Sequence, residues 1–154
     1  KLIGEKETGK ENYTATFDVP YEPGTLKAVN SKGKEEFVLK TAGAPAAIRL
    51  IADRSKIKAC KNDLSYVKIE LVDKNGNVVP ETSLPVKIEC TGKGTVIAGG
   101  NAAYADMESF RSLTPNTFRG KAIAIVQPDG EKGDIQVKVS AKGLEDASIV
   151  ITTY

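Results

Sequence analysis

An all-β fold, a sandwich of packed sheets, is the class this sequence predicts, and three observations predict it. Apolar and polar residues alternate with a period of two in one short segment after another, the pattern of a strand with one buried face. Clusters of Gly, Pro, Asn and Asp separate these segments at intervals of roughly eight to twelve residues, as in a β-sandwich. One segment, Lys121 to Gln127, carries Ala122-Ile123-Ala124-Ile125-Val126, apolar on both faces, which suits a central strand covered on both sides.

The elements follow in order. The first seven residues supply a possible opening strand, and Tyr13 to Val19 alternates so that Tyr13, Ala15, Phe17 and Val19 share a face. Pro20 and Pro23-Gly24 end it, because proline presets φ and glycine accepts positive φ. Thr25 to Val29 and Glu36 to Thr41 are two short strands separated by Asn30-Ser31-Lys32-Gly33-Lys34. Ala42-Gly43-Ala44-Pro45 interrupts the pattern as a linker, which places a boundary between residues 1–44 and 45–154. A new strand begins at Ala47-Ile48-Arg49-Leu50.

Ser65 to Asp73 sets Val67, Ile69 and Leu71 on one face against Lys68 and Glu70 on the other, and it is rich in β-branched and aromatic residues. Asp73-Lys74-Asn75-Gly76-Asn77 then reads as a hairpin turn, since Asn and Gly both tolerate positive φ. It also resembles the start of a calcium loop, but Gly76 is fourth where that loop needs a sixth-position Gly, and Leu84 stands where it needs Glu. Val86 to Thr91, Thr95 to Ala98, Asp134 to Ala141 and Ser148 to Thr153 complete the strands. Only Gly99 to Gly120 is irregular, and Asn101 to Ser112 admits either a helical turn or a long loop.

The chain has 154 residues, 40% of them hydrophobic and 27% charged, which is enough for a core without metal or disulfide. With 22 basic and 20 acidic residues, the charge is too even to argue for nucleic acid. Lys56, Lys58 and Lys61 alternate like a solvated strand face. No apolar run approaches the ~18 residues of a membrane span. The sequence opens at Lys1-Leu2 with no leader pattern and reads as part of something longer.

Chemistry is sparse. The chain has no histidine, so the commonest general base and metal ligand is missing. Neither CxxC nor GxGxxG nor a phosphate loop occurs, so no cofactor or metal site is expected. Cys60 and Cys90 permit one disulfide, but Cys90 falls in phase with Val86 and Ile88 as a core thiol, whereas Cys60 sits at a turn; we expect no bridge. Three carboxylate groupings remain: Glu35/Glu36 on opposite strand faces, Asp129/Glu131/Asp134 in a hairpin turn, and Asp106/Glu108 in the irregular stretch. Only the last has a place to line a cleft, as glycosidase carboxylates do. Its alternative role is to order the loop. For sugar binding, which needs exposed aromatic faces, Tyr104 is the candidate, with Phe110 and Phe118 flanking it.

Two stretches carry a family resemblance. Phe17-Asp18-Val19-Pro20-Tyr21-Glu22-Pro23-Gly24-Thr25-Leu26-Lys27-Ala28-Val29, followed by Lys40-Thr41-Ala42-Gly43-Ala44-Pro45-Ala46-Ala47-Ile48-Arg49-Leu50, resembles the region after the catalytic barrel in glycoside hydrolase family 2 enzymes of the β-galactosidase type. Tyr66 to Pro80, Glu108-Ser109-Phe110 and Phe118-Arg119-Gly120-Lys121-Ala122 resemble the C-terminal immunoglobulin-like domain of the same enzymes. The resemblance implies an immunoglobulin-like β-sandwich over 45–154 and a partial sandwich over 1–44. It implies a parent that is a retaining exo-glycosidase, exported to the periplasm or beyond, whose acid and nucleophile lie in a barrel outside this chain. No position here matches those catalytic motifs, so no catalytic residue is expected. The expected partners are that barrel and its adjacent domains, with carbohydrate as a further one. Two other functions stay open: a carbohydrate-binding module, and a stalk or adhesin domain.

Overall fold

The computed structural model describes residues 1–9, 12–31 and 33–154. It is all-β, with no helix among the described residues. The chain divides into two compact units, Lys1–Thr41 and Ala42–Tyr154.

The first unit contains one antiparallel hairpin, β1 (Thr25–Val29) with β2 (Glu36–Lys40). Lys32, between the two strands in sequence, lies outside the described residues. Thr41 N–H donates to Gly24 O (2.8 Å) and Gly24 N–H to Thr41 Oγ1 (2.9 Å), closing the open end. The register sets Leu26 opposite Leu39 and Ala28 opposite Phe37. Because side chains alternate, these four share one face; Thr25, Lys27, Val29, Glu36, Val38 and Lys40 share the other, where Lys27 pairs with Glu36.

Two expected strands are absent from this unit. Lys1 to Glu7 and Tyr13 to Val19 form no ladder; Tyr13 takes a positive φ of 52°, and its N–H donates to Gly9 O at 2.8 Å. The alternation is real, but a strand forms only where a neighbour satisfies its backbone groups. No such neighbour is present among the described residues.

The second unit is an immunoglobulin-like sandwich. Its strands are β3 (Pro45–Ala52), β4 (Lys56–Ile57), β5 (Ser65–Asp73), β6 (Lys87–Gly92), β7 (Gly94–Gly100), β8 (Lys121–Pro128), β9 (Gly133–Ser140) and β10 (Ala147–Thr153). One sheet has the order β3-β5-β8-β7 and the other β4-β10-β9-β6. The chain passes from the first sheet to the second between β3 and β4, and β4 then pairs parallel to the end of β10. Two residues long, β4 carries no period of its own; its Ile57 is nevertheless fully buried.

The alternation in β5, β8 and β9 decides what fills the space between the sheets. Val67, Ile69 and Leu71 of β5 and Ala124 and Val126 of β8 face Ile135, Val137 and Val139 of β9 and Ile151 of β10, each fully buried. Burying one such Val, Ile or Leu contributes about 1.5–3 kcal/mol, so this layer is the main source of the unit's stability. β8 is central by its hydrogen bonds to β5 and β7, but only one of its faces is covered: Ile123 is 38% exposed. The expected second covering layer is not among the described residues.

The Asn75-Gly76 turn forms as expected, with Gly76 at φ 78°. Its anchor is Asp73, whose carboxylate accepts from the N–H groups of Asn75 and Asn77 (2.9 Å each), from Asn77 Nδ2 (3.1 Å) and from Gly43 N–H (2.8 Å). The linker and the turn are thereby tied to the same side chain. These donors, Gly43 first, hold the Asp73 carboxyl far below the usual carboxylate range.

Cys60 and Cys90 are both free thiols. Cys90 is half-buried against the core, its Sγ contacts Gly94 O at 3.6 Å, and burial pushes its thiol pKa up.

Candidate functional site

The irregular segment between β7 and β8 holds the residues that the sequence singles out. It contains no helical turn and forms a long loop whose two limbs serve different strands. β6 and β7 are the terminal strands of their sheets on the same side of the sandwich. Val86 N–H donates to Pro115 O (3.0 Å) and Ile88 N–H to Leu113 O (2.8 Å), so one limb occupies the edge of β6. Gly99 N–H donates to Phe110 O (2.7 Å), so the other limb occupies the edge of β7. The loop thus covers two edges that would otherwise invite pairing with another chain.

The close approach depends on glycine. A Cβ on Gly100 would lie 2.7 Å from the Phe110 ring, and one on Gly99 would lie 2.9 Å from Ser112 O. Thr117, fully buried, seals the far end: its Oγ1 accepts from Leu84 N–H at 2.9 Å, and Thr117 N–H donates to Leu84 O at 2.8 Å. Phe118-Arg119-Gly120-Lys121 then forms a two-residue hairpin into β8, with Arg119 at φ 50° and Gly120 at φ 71°. Both central residues on the positive-φ side is the signature of a type I′ turn.

Asp106 and Glu108 are each engaged within the loop. Asp106 Oδ1 accepts Glu108 N–H at 2.9 Å and its Oδ2 accepts Asn101 Nδ2 at 2.5 Å; together these hold its carboxyl below the usual range. Glu108 Oε1 accepts Asn116 Nδ2 at 2.6 Å. Asn101 also donates to Asn116 O (2.9 Å) and accepts from Ala103 N–H (2.7 Å). The two acidic side chains therefore bind the loop's own backbone and amides, an arrangement that orders a turn rather than one that converges on a reacting bond. The notch beside them measures about 30 Å³, room for one water molecule.

The carboxylates of the other two groupings are similarly occupied. Glu35 accepts from Asn30 Nδ2 (3.0 Å), and Glu36 pairs with Lys27. Asp129 accepts Glu131 N–H (2.9 Å), Glu131 pairs with Lys93, and Asp134 accepts Thr152 Oγ1–H (2.9 Å). Among the described residues no three Cys, Asp or Glu side chains converge as metal ligands would.

Among the charged and polar side chains that the loop exposes stand three large apolar ones. Tyr104 is fully exposed, Met107 is 96% exposed and Phe110 is 70% exposed, while Phe118 is half-buried beneath the Arg119 guanidinium. Tyr104 is visible in the sequence as a loop aromatic, whereas Met107, Asn101 and Asn116 do not stand out. An Asn at each end of the stretch, bracketing two acidic residues, is the signal that points to them, since such short side chains bond locally to backbone.

By fold the second unit is an immunoglobulin-like β-sandwich domain, and the two acidic side chains of its long loop, Asp106 and Glu108, are engaged in ordering that loop. It belongs to glycoside hydrolase family 2: residues 48–150 match the family described as glycoside hydrolase family 2 C-terminal domain 5. Residues 1–37 match a domain of unknown function (DUF4982). The chain is 32% identical to a β-galactosidase, BoGH2A, from Bacteroides ovatus, over 99% of this chain and 18% of that protein. It is 30% identical to a β-galactosidase from Thermoanaerobacter pseudethanolicus, over 75% of this chain and 16% of that one. Among solved structures, a family 2 member from Bacteroides cellulosilyticus superposes with a TM-score of 0.87 at 37% identity, covering 97% of this chain and 21% of that one. The chain thus spans about a fifth or less of the length of the curated relatives it matches.

Proposed function

We propose that this chain is a non-catalytic accessory module of a bacterial family 2 glycoside hydrolase of the β-galactosidase type, packing against the catalytic barrel and adjacent domains of a longer polypeptide. The observation that carries this reading is the bare face of the β1–β2 hairpin. Leu26, Ala28, Phe37 and Leu39 lie together on it, with Phe37 67% and Leu39 55% exposed. An isolated two-stranded hairpin is marginal in water and gains stability only from a further layer. An apolar face of this kind is suited to being covered by another part of the protein. In this reading residues 1–44 close one sandwich and residues 45–154 form the next.

The names of the relatives support a galactoside-cleaving parent, and the occupied carboxylates support placing its acid and nucleophile elsewhere. Export to the periplasm or beyond rests on the family resemblance alone. The test is direct: the 154-residue chain should hydrolyse no nitrophenyl galactoside, glucoside or glucuronide. The same chain joined to a family 2 barrel should. Specific turnover by the chain alone overturns the reading. A second reading, carbohydrate binding, is favoured by one observation, the fully exposed ring of Tyr104. Isothermal titration with galactosides and β-glucans checks it, and heat lost in a Tyr104→Ala variant would establish it.

A further inference from the structure

We propose that the tip of the β7–β8 loop, formed by Tyr104 and Met107 with Phe110 at its base, is a preformed docking knob that inserts into an apolar hollow on another domain of the same family 2 polypeptide. This rests on the accessory-module reading and names a second contact surface, within the second unit and separate from the hairpin face.

Three observations carry it. First, the tip is held in shape. Asn101, Asp106, Glu108 and Asn116 bond to one another and to the loop backbone, and Asp106 N–H donates to Ala103 O at 3.2 Å. A loop already ordered loses less conformational entropy on docking than a mobile one. Second, that order serves no burial of its own largest side chains: Met107 is 96% exposed and Tyr104 fully so. Tyr, Met and Phe are the residue types enriched at the centres of protein interfaces. Third, the amides and carboxylates of Asn101, Asp106, Glu108 and Asn116 are already engaged within the loop. Sugar recognition needs hydrogen-bonding groups converging beside the aromatic face, and the amides and carboxylates here point into the loop. An apolar protein surface is the occupant this chemistry fits. The relatives supply the polypeptide to carry it, since more than four-fifths of the Bacteroides ovatus protein lies outside the matched region.

Met107 is the only methionine in the sequence, so its oxidation can be followed by mass without ambiguity. Peroxide oxidation of Met107 and hydroxyl-radical labelling of Tyr104, Phe37 and Leu39 would be measured in the chain alone and in the chain joined to the remaining family 2 domains. In the chain alone, Met107 should oxidise at the rate of a free methionine. In the joined protein we expect Met107 oxidation and Tyr104 labelling to fall at least tenfold. Unchanged rates at both, with Phe37 and Leu39 protected, overturn the knob and leave the accessory reading standing. Unchanged rates at all four positions overturn both. Protection of Tyr104 in the chain alone by added galacto-oligosaccharide would overturn the protein occupant in favour of a sugar.

Discussion

The two units treat their apolar residues in opposite ways. In Ala42–Tyr154, the alternating faces of β5 and β9 meet across the sandwich, and the long loop covers the edges of β6 and β7. In Lys1–Thr41, an equally clear alternation produces a hairpin with an uncovered apolar face and a segment, Tyr13 to Val19, that forms no strand. The difference does not lie in local propensity, since Tyr, Phe, Val and Thr are strand formers in both. It lies in whether a second layer is within reach. A period of two states which face wants burial, and only a neighbouring sheet provides it.

The largest effect that would test this contrast is a core truncation. Ile69→Ala removes a fully buried side chain from the centre of β5. A cavity there, left between two sheets that cannot collapse toward each other, should cost about 2–5 kcal/mol. Urea unfolding monitored for the second unit should show the midpoint fall with little change in slope. A loss under 1 kcal/mol would mean that the sheets relax into the gap and that the core is looser than its burial indicates.

An intermediate effect concerns pH and the Asp73 turn. The folded carboxyl lies far below its ordinary value because Gly43 N–H, Asn77 and Asn75 N–H all donate to its charged form. A depressed folded pKa means that the stabilisation is complete above the unfolded value of about 3.9 and is lost as pH falls toward the folded one. The wild-type stability should therefore stay level on this account from pH 7 to about 5 and decline below about 4. Asp63, held low by Lys58 N–H and then by Arg54, and Glu70, where burial pushes up but Arg49 and Lys68 hold the carboxyl below its ordinary value, add to that decline. Asp73→Asn isolates the turn's share. It should be less stable than wild type at pH 7, with the gap narrowing in acid; a gap constant from pH 7 to pH 2 would show that the charge is not what the turn uses.

Much of the sandwich was legible for the reason just given: β8, β9 and the first half of β5 bury every second residue, so burial writes a period of two into the sequence. β4 was legible only as the alternation of Lys56 and Lys58 about Ile57, a solvated face too short to mark the strand's ends or its buried partner. The β7–β8 loop was legible only as an interruption. Its shape comes from side chains bonding to backbone at irregular intervals, and from Thr117 reaching Leu84 across a gap of 33 residues. The two-residue hairpin before β8 was hidden because arginine occupies a positive-φ position where Asn or Gly is the usual signal. Tyr104 could be picked out as an aromatic in a loop. That Asp106 and Glu108 would be consumed in ordering that loop required knowing where Asn101 and Asn116 come to rest.

The smallest expected effect is the one that most sharpens the contrast. Phe37→Ser replaces an aromatic ring on the bare hairpin face, where the ring is 67% exposed. In the 154-residue chain this should change stability by no more than about 0.5 kcal/mol, the range of surface substitutions. Joined to the neighbouring domains, the same substitution should behave as a buried truncation and cost about 3 kcal/mol or more. Thermal or urea unfolding of both forms measures the two values, and their difference reads the burial of that face. Equal small losses in both forms would mean that the hairpin stays exposed to water in the longer protein, and the face would then need an occupant other than the polypeptide's own domains.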